Sequence, residues 1–506
     1  MTTSPLVISR ARLWGADSTQ NTTSLVDLSI DDGKVVAIAP SGCLPSDLRR
    51  PEEVIDLDGR WLMPGLVDKH VHFTLWSQHR NRVNVAGLGS AAAVVEAVRL
   101  ALVDLKNSHR GASVPLVAMG YQDALWPDAP TAEALDWAAA RVGQLHRPIV
   151  LISHDLHSVW ISTAAATRYG TRAGLLREGE AFDLEIALKA EEATDTRAGE
   201  ALVTHAAAEA SARGVTGIMD LEMADNPTVW ASRVRAGLRS LRVEAGVYPQ
   251  HLDEVLARGE RTGKRLPGTE GLVSVGPLKV FADGALNTRT AWCFEEYPHT
   301  RSFGYSAQAR GDLQKILADA RDVGFEVALH AIGDRAVASA LDAFEHTGAK
   351  GSIEHAQLIR TEDIPRFAAL GIAAGIHPEH ALDDREVSDA LWVGRTDRAF
   401  PYRALADAGA PLRLGSDAPV APLDPWFGIS AAVHRTRDAQ PAWEPNNALT
   451  IDQALRGSWA VPSVSVGMLA DLVAVDADPA ALTAADLRAM PVALTVTAGH
   501  VTHRAI

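Results

Sequence analysis

Cysteine is almost missing from this chain. Cys43 and Cys293 are the only two in 506 residues. They can close one bridge at most, which excludes a disulfide framework and fits a cytosolic protein. Long apolar runs are missing too. No uncharged stretch reaches the roughly eighteen residues of a membrane span. The segment from Ala91 to Leu105 carries Glu96, Arg99 and Asp104 and reads as an amphipathic helix. Met1 to Arg12 has no basic stretch ahead of an apolar one, so no signal peptide is expected. Positive charge is short: 48 basic against 63 acidic residues leave a net charge of −15, which argues against a nucleic-acid partner. No repeat or low-complexity tract breaks the sequence. What remains is 47% hydrophobic and 22% charged, the balance of an ordinary soluble enzyme.

Both ends read as β-structure. Leu6–Ser9, Leu25–Ile30, Lys34–Ile38, Val54–Leu57 and Arg60–Met63 are short strand-like runs separated by turns such as Asp31-Asp32-Gly33. Ala470–Asp476 and Val492–Thr497 are similar, with a helical piece near Ala480–Arg488 between them. The expectation is one small β-sandwich assembled from 1–62 and 461–506. Residues 63–460 then form an insertion of alternating strands and helices, an α/β parallel pattern. Eight candidate strands end near Asp68, Met219, Gly246, Phe281, His330, His355, Ile376 and Asp417. The stretch 80–205 is an excursion between the first two. It has strand-like runs of its own, Val114–Met119 and Pro148–Ile152, and is placed as a lid or subdomain over the mouth.

The chemistry concentrates at the strand ends. His70 and His72 close an apolar strand after Pro64-Gly65-Leu66-Val67-Asp68, and residues two apart on a strand point the same way. Both imidazoles can therefore face one metal ion. His330 and His355 each close a short strand before a turn. Either alone reads as a satisfied polar residue, but beside the His-x-His pair they read as ligands. Asp417 ends the last strand, where a carboxylate can bind metal and take a proton from water, or simply cap the next helix. Lys279 lies inside an apolar strand. A buried lysine is costly. One role for it is reaction with CO₂ to a carbamate, because burial beside cations supplies the neutral amine; the other reading is a solvated strand face. Glu222 is a spare carboxylate near another strand end.

Together these residues resemble the amidohydrolase superfamily, and their wording is closest to its family 3, which includes N-substituted formamide deformylases and exoenzyme regulatory proteins. The matching phrases include Arg289-Thr290-Ala291, His330-Ala331-Ile332-Gly333-Asp334, Ile353-Glu354-His355-Ala356, Gly415-Ser416-Asp417-Ala418-Pro419-Val420, Gly120-Tyr121, Asp155-Leu156-His157-Ser158-Val159-Trp160 and Ala470-Asp471-Leu472-Val473. The resemblance covers essentially the whole chain. It implies a (β/α)₈ barrel with a flanking β-sandwich and one or two divalent ions, usually zinc. His70 and His72 would hold the more buried ion with Asp417. His330 and His355 would hold the second, and a carboxylated Lys279 would bridge the two, with Glu222 as its substitute. The chain departs from the family pattern in Asn287-Thr288 before Arg289, and in a short link from Leu455 to Asp471.

The resemblance further implies hydrolysis of a carbon–nitrogen bond by metal-activated water. Asp417 would shuttle the proton to the leaving amine, and His157 would touch the substrate from the excursion or serve structure alone. Asp283, Arg289, Trp160 and Trp292 are candidates for second positions around substrate or ligands. An N-formyl or N-acyl amine is the first expectation for substrate. A cyclic amide or imide and an amino-heterocycle are the alternatives. Twelve tryptophans, with Trp76, Trp126, Trp160 and Trp292 near site segments, would suit an apolar small molecule. A non-catalytic regulatory descendant is the rival reading; loss of a ligand would mark it, and none of the expected ligands is missing. Relatives often assemble as homo-oligomers.

Overall fold

The computed structural model describes residues 5–15, 24–45, 48, 53–79, 82–107, 114–192, 196–437 and 440–506. The expected limits at residues 1 and 80 lie outside them. At its centre is a sheet of eight parallel strands: β1 (Leu66–Val71), β2 (Val215–Asp220), β3 (Arg242–Val247), β4 (Val273–Phe281), β5 (Val327–Ala331), β6 (Gly351–His355), β7 (Ala373–Ile376) and β8 (Leu412–Leu414). Each pairs with the next in chain order. The ring closes past the end of β8, where Asp417 N donates to His70 O at 2.8 Å and His72 N to Ala418 O at 2.8 Å. All eight strand ends fall within about three residues of the predicted positions, so the barrel is confirmed.

Parallel neighbours require long crossovers, and helices supply them. The helix Asp334–Thr347 shows why they pack. Val337, Leu341 and Phe344 recur at four- and three-residue spacing on its buried side. Each contributes roughly 1.5–3 kcal/mol by leaving water. Both faces of the barrel strands are covered, so their sequences are almost continuously apolar, and an ionisable group inside them must be held by others.

The two termini build one further sheet. Its order is His500–Arg504, Val492–Thr497, Leu472–Val475, Trp61–Pro64, Leu6–Leu13, Val26–Asp31, Lys34–Pro40, with Glu53–Asp56 paired to Leu6–Leu13. It encloses its own apolar cluster, including Ile8, Leu28, Ile55, Leu472 and Leu494. The strand His500–Arg504 was not expected; its polar sequence gives no period-two signal.

The excursion folds as a five-stranded sheet in the order Gly174–Arg177, Ser158–Ile161, Ile149–Ser153, Leu116–Tyr121, Val83–Asn84. The helix Ala91–Asn107 covers it with Val94, Val95, Val98 and Leu102. The tight connection between Ile149–Ser153 and Ser158–Ile161 reaches the barrel mouth. Asp155 shapes it by accepting from Ser153 Oγ at 2.6 Å and His157 N at 3.2 Å. Among the described residues, no helix is long and apolar enough to cross a membrane. Cys43 is exposed, Cys293 is buried, and both are free thiols.

Candidate metal centre

Asp417 is the hub. Its Oδ1 lies 3.5 Å from His70 Nε2 and 3.3 Å from His72 Nε2, and its Oδ2 lies 3.9 Å from His355 Nδ1 and 3.8 Å from His380 Nε2. Its backbone is left-handed, with φ of 56°, as is that of His355 at 70°. For side chains with a Cβ this is strained, and such strain persists where the surroundings impose it, commonly at functional sites. Candidate ligand atoms of His70, His355, His377 and Asp417 all lie within 4.8 Å of one another.

Neighbouring groups fix which ring nitrogen of His70, His377 and His330 is free. His70 Nδ1 donates to Glu354 Oε2 at 2.7 Å, because a carboxylate only accepts, and this leaves Nε2 with its lone pair toward the chamber. Glu354 reaches across the barrel from β6 to β1. The room for it comes from Gly375 on β7, where a Cβ would collide with the Glu354 carboxylate. His377 Nδ1 donates to Gly415 O at 3.2 Å and frees its Nε2. Gly415 is needed as well, since a Cβ there would stand 2.7 Å from His70 N. His330 Nε2 donates to Gly284 O at 3.1 Å and frees its Nδ1. Asp68, one of the barrel's buried carboxyls, accepts from His70 N and Ser416 N and ties β1 to the loop after β8.

The charge states suit cation binding. Burial pushes the His330, His355 and His377 imidazoles well below their usual range, so they are neutral and can ligate. Burial raises the Asp417 carboxyl, but His70 and His72 outweigh it and hold the group well below the carboxylate range. Burial lowers the Lys279 ammonium against the pull of Glu354 and Asp417. Its Nζ lies 3.3 Å from His70 Nε2 and its side chain is 1% exposed. Three buried nitrogens, His355 Nδ1, His377 Nε2 and His380 Nε2, have no hydrogen-bond partner. Leaving buried polar atoms unpaired is costly. A set of lone pairs converging on a carboxylate fits one or two divalent cations.

The predicted residues are thus largely brought together, with changes. His70, His72, Lys279, His330, His355 and Asp417 converge as expected. His377 and His380 join them and were not expected. The signal was present, because the predicted strand ended at Ile376 and the next residue is His377. His157 also arrives, 5.3 Å from His330 between ring centroids. Its Nδ1 donates to Glu178 Oε2 at 2.8 Å. Burial opposes its charge, yet Glu178 prevails and raises it to about 9. Glu178 in turn accepts from Thr288 Oγ1 and Thr290 Oγ1 at 3.2 and 2.5 Å. Thr288, from the departing pair, and Thr290, from the matching phrase, together tie the excursion's histidine to the barrel through Glu178. Asp283 accepts from the backbone N of Trp292, Ile332 and Gly333, and lies 3.5 Å from His330 Nε2.

Three residues fall elsewhere. Trp160 is fully buried inside the excursion, its Nε1 on Thr131 O and its ring against Tyr121 and Trp126. Arg289 is exposed and donates to Ala124 O. The Trp292 ring stacks under Arg335, and only its backbone serves Asp283. Glu222 is engaged by Lys189 at 2.7 Å, and it is not among the residues that line the chamber with Lys279.

Two adjoining pockets, small cavities of about 30 and 40 Å³, share Asp155, His157, His355 and Asp417. The excursion closes over both.

Residues 53–503 match the model of the amidohydrolase family. The Bacillus subtilis amidohydrolase YtcJ is 27% identical, over 94% of this chain and 95% of its own. The N-substituted formamide deformylase of Arthrobacter pascens is 24% identical over 88% and 89%. A solved metal-dependent hydrolase from Pyrococcus horikoshii shares the fold, with a TM-score of 0.75 at 23% identity over 95% of this chain and 99% of that one.

Proposed function

The chain belongs to the amidohydrolase family, and on that premise we propose that it hydrolyses the carbon–nitrogen bond of an N-formyl or N-acyl amine with one or two divalent ions, zinc first among them. The observation that carries the reading is the set of unpartnered imidazole nitrogens around Asp417 at the strand ends. The name of the Arthrobacter relative supports the choice of an N-formyl amine.

His70, His72, His355, His377 and Asp417 hold the ion or ions, with His330 and His380 at their margin. Lys279 has the burial and the depressed basicity that a carbamate requires. A bound ion supplies an activated water and a polarised carbonyl. Asp417 takes the proton from the attacking side and returns it at the departing nitrogen. His157, with Nδ1 committed to Glu178, offers Nε2 as its one free donor to the developing oxyanion. Glu354 and Gly415 keep His70 and His377 in the ligating tautomer. The two free thiols support a cytosolic setting.

The test begins with metal per chain, by plasma mass spectrometry on protein purified with bicarbonate and without chelator. One or two ions per chain are expected, and none after zinc or manganese incubation overturns the reading. On the loaded protein, Asp417→Asn should lower turnover of N-formyl amines by about a thousandfold or more while much of the metal stays. Normal turnover in that variant removes Asp417 from proton transfer.

A further inference from the structure

The pocket lined by Lys279, Phe281 and Tyr248 has a second polar feature besides the histidines. The helix Gly179–Glu192 of the excursion presents Phe182, Glu185 and Lys189 to it. Their spacing of three and then four places them on one helix face. Phe182, Phe281 and Tyr248 form an aromatic wall there, with centroids 5.8 and 6.5 Å apart in turn. Lys189 donates to Glu222 at 2.7 Å, and the other oxygen of Glu222 accepts from Leu75 N at 2.9 Å. The Tyr248 hydroxyl donates to Leu221 O. Glu185 is left over. It is 2% exposed and its Oε1 is buried with no hydrogen-bond partner. A carboxylate is rarely stored in an apolar wall without a partner.

We propose that Glu185 is a specificity-determining residue, which takes a hydrogen-bond donor, best a primary ammonium, at the far end of an otherwise apolar substrate. The substrate class that fits is a mono-acylated diamine or a related acylated ω-amino compound. Its acyl nitrogen lies at Asp417, its chain crosses Phe182 and Phe281, and its free amine meets Glu185. The proposal rests on the hydrolase reading for the end that meets the histidines. Burial raises the Glu185 carboxyl while Lys189 and Arg82 draw it toward its charged form. Its Oε1 still has no hydrogen-bond partner, and a donor on the substrate would supply one.

Straight-chain hydroxamates test it, because their head group binds a site metal whatever the natural substrate is. A homologous series, each member with and without a terminal primary amine, is titrated calorimetrically into the zinc-loaded full chain. At one chain length the amine should tighten binding about tenfold or more. In Glu185→Gln, and in Glu185→Leu as a second variant, that advantage should vanish, while the plain alkyl hydroxamates and the zinc content stay as in the parent. Equal binding of amine and alkyl ligands at every length overturns the proposal, and needs no variant to show it. Loss of zinc in Glu185→Gln also overturns it, by making Glu185 a metal ligand. Failure of every hydroxamate to bind the zinc-loaded chain strikes the hydrolase reading itself, and the proposal with it.

Discussion

The barrel wall and the inserted hairpin both deliver histidines to one chamber, but they hold them by different means. On the wall, His70, His330, His355 and His377 stand at or just past the ends of β1, β5, β6 and β7, so the hydrogen-bond ladder itself sets their positions. Each orienting partner on the wall is also part of the barrel: Glu354, Gly284 and Gly415. His157 sits at a hairpin tip, where the ladder ends on its backbone with Glu178 N donating to His157 O at 2.9 Å. Its ring is held by a relay of side chains, Glu178 and then Thr288 and Thr290. A rigid wall suits metal ligation, which tolerates little error in geometry. A tip held by a side-chain relay suits a group that must meet varied substrates.

Breaking the wall should have the largest effect. His377→Ala should cost about a hundredfold or more in metal affinity, more than loss of a partner behind a ligand does. Metal titration followed by plasma mass spectrometry checks this, and unchanged affinity would exclude His377 from the centre.

Breaking the relay should be milder and should show in pH dependence. His157 keeps its proton up to about 9 because Glu178 outweighs burial. The protonated ring is the donor, so kcat/KM should fall as pH rises through about 9. In Glu178→Gln the support is gone, and the fall should begin about two pH units lower, toward the ordinary imidazole value. Little change is expected below that window. An alkaline limb that does not move would show that another group sets it.

The smallest effects should lie outside both regions. Trp160→Phe trims the core of the excursion and should lower the melting temperature while KM stays within about twofold. Arg289→Ala, on an exposed side chain, should change stability by less than about 0.5 kcal/mol. A tenfold change in kcat/KM from either would move the boundary of the site.

Much of this was legible in the chain. The apolar strands of the barrel, the pair His70 and His72, and the placing of His330, His355 and Asp417 at strand ends follow from local pattern, because a strand's direction and period fix where its last side chains face. The terminal strands other than His500–Arg504 followed from the same alternation. His377 was legible too, one residue past a predicted strand end, but a single histidine before Pro378 carried no pairing to mark it. His380 was not, since its position depends on how the short helix Pro378–Asp383 leaves the barrel.

What the tertiary structure alone decided is what lies behind the ligands. Glu354 serves His70 from 284 residues away and across the barrel, and Gly375 and Gly415 matter only through the spaces they leave. Trp160 and His157 are three residues apart in sequence, yet one faces the excursion's core and the other the chamber. Sequence determined the type and order of the reactive groups, because these follow from short-range periodicity. Their tautomers, charge states and partners follow from which strands close against one another, a long-range outcome of burying the apolar faces together.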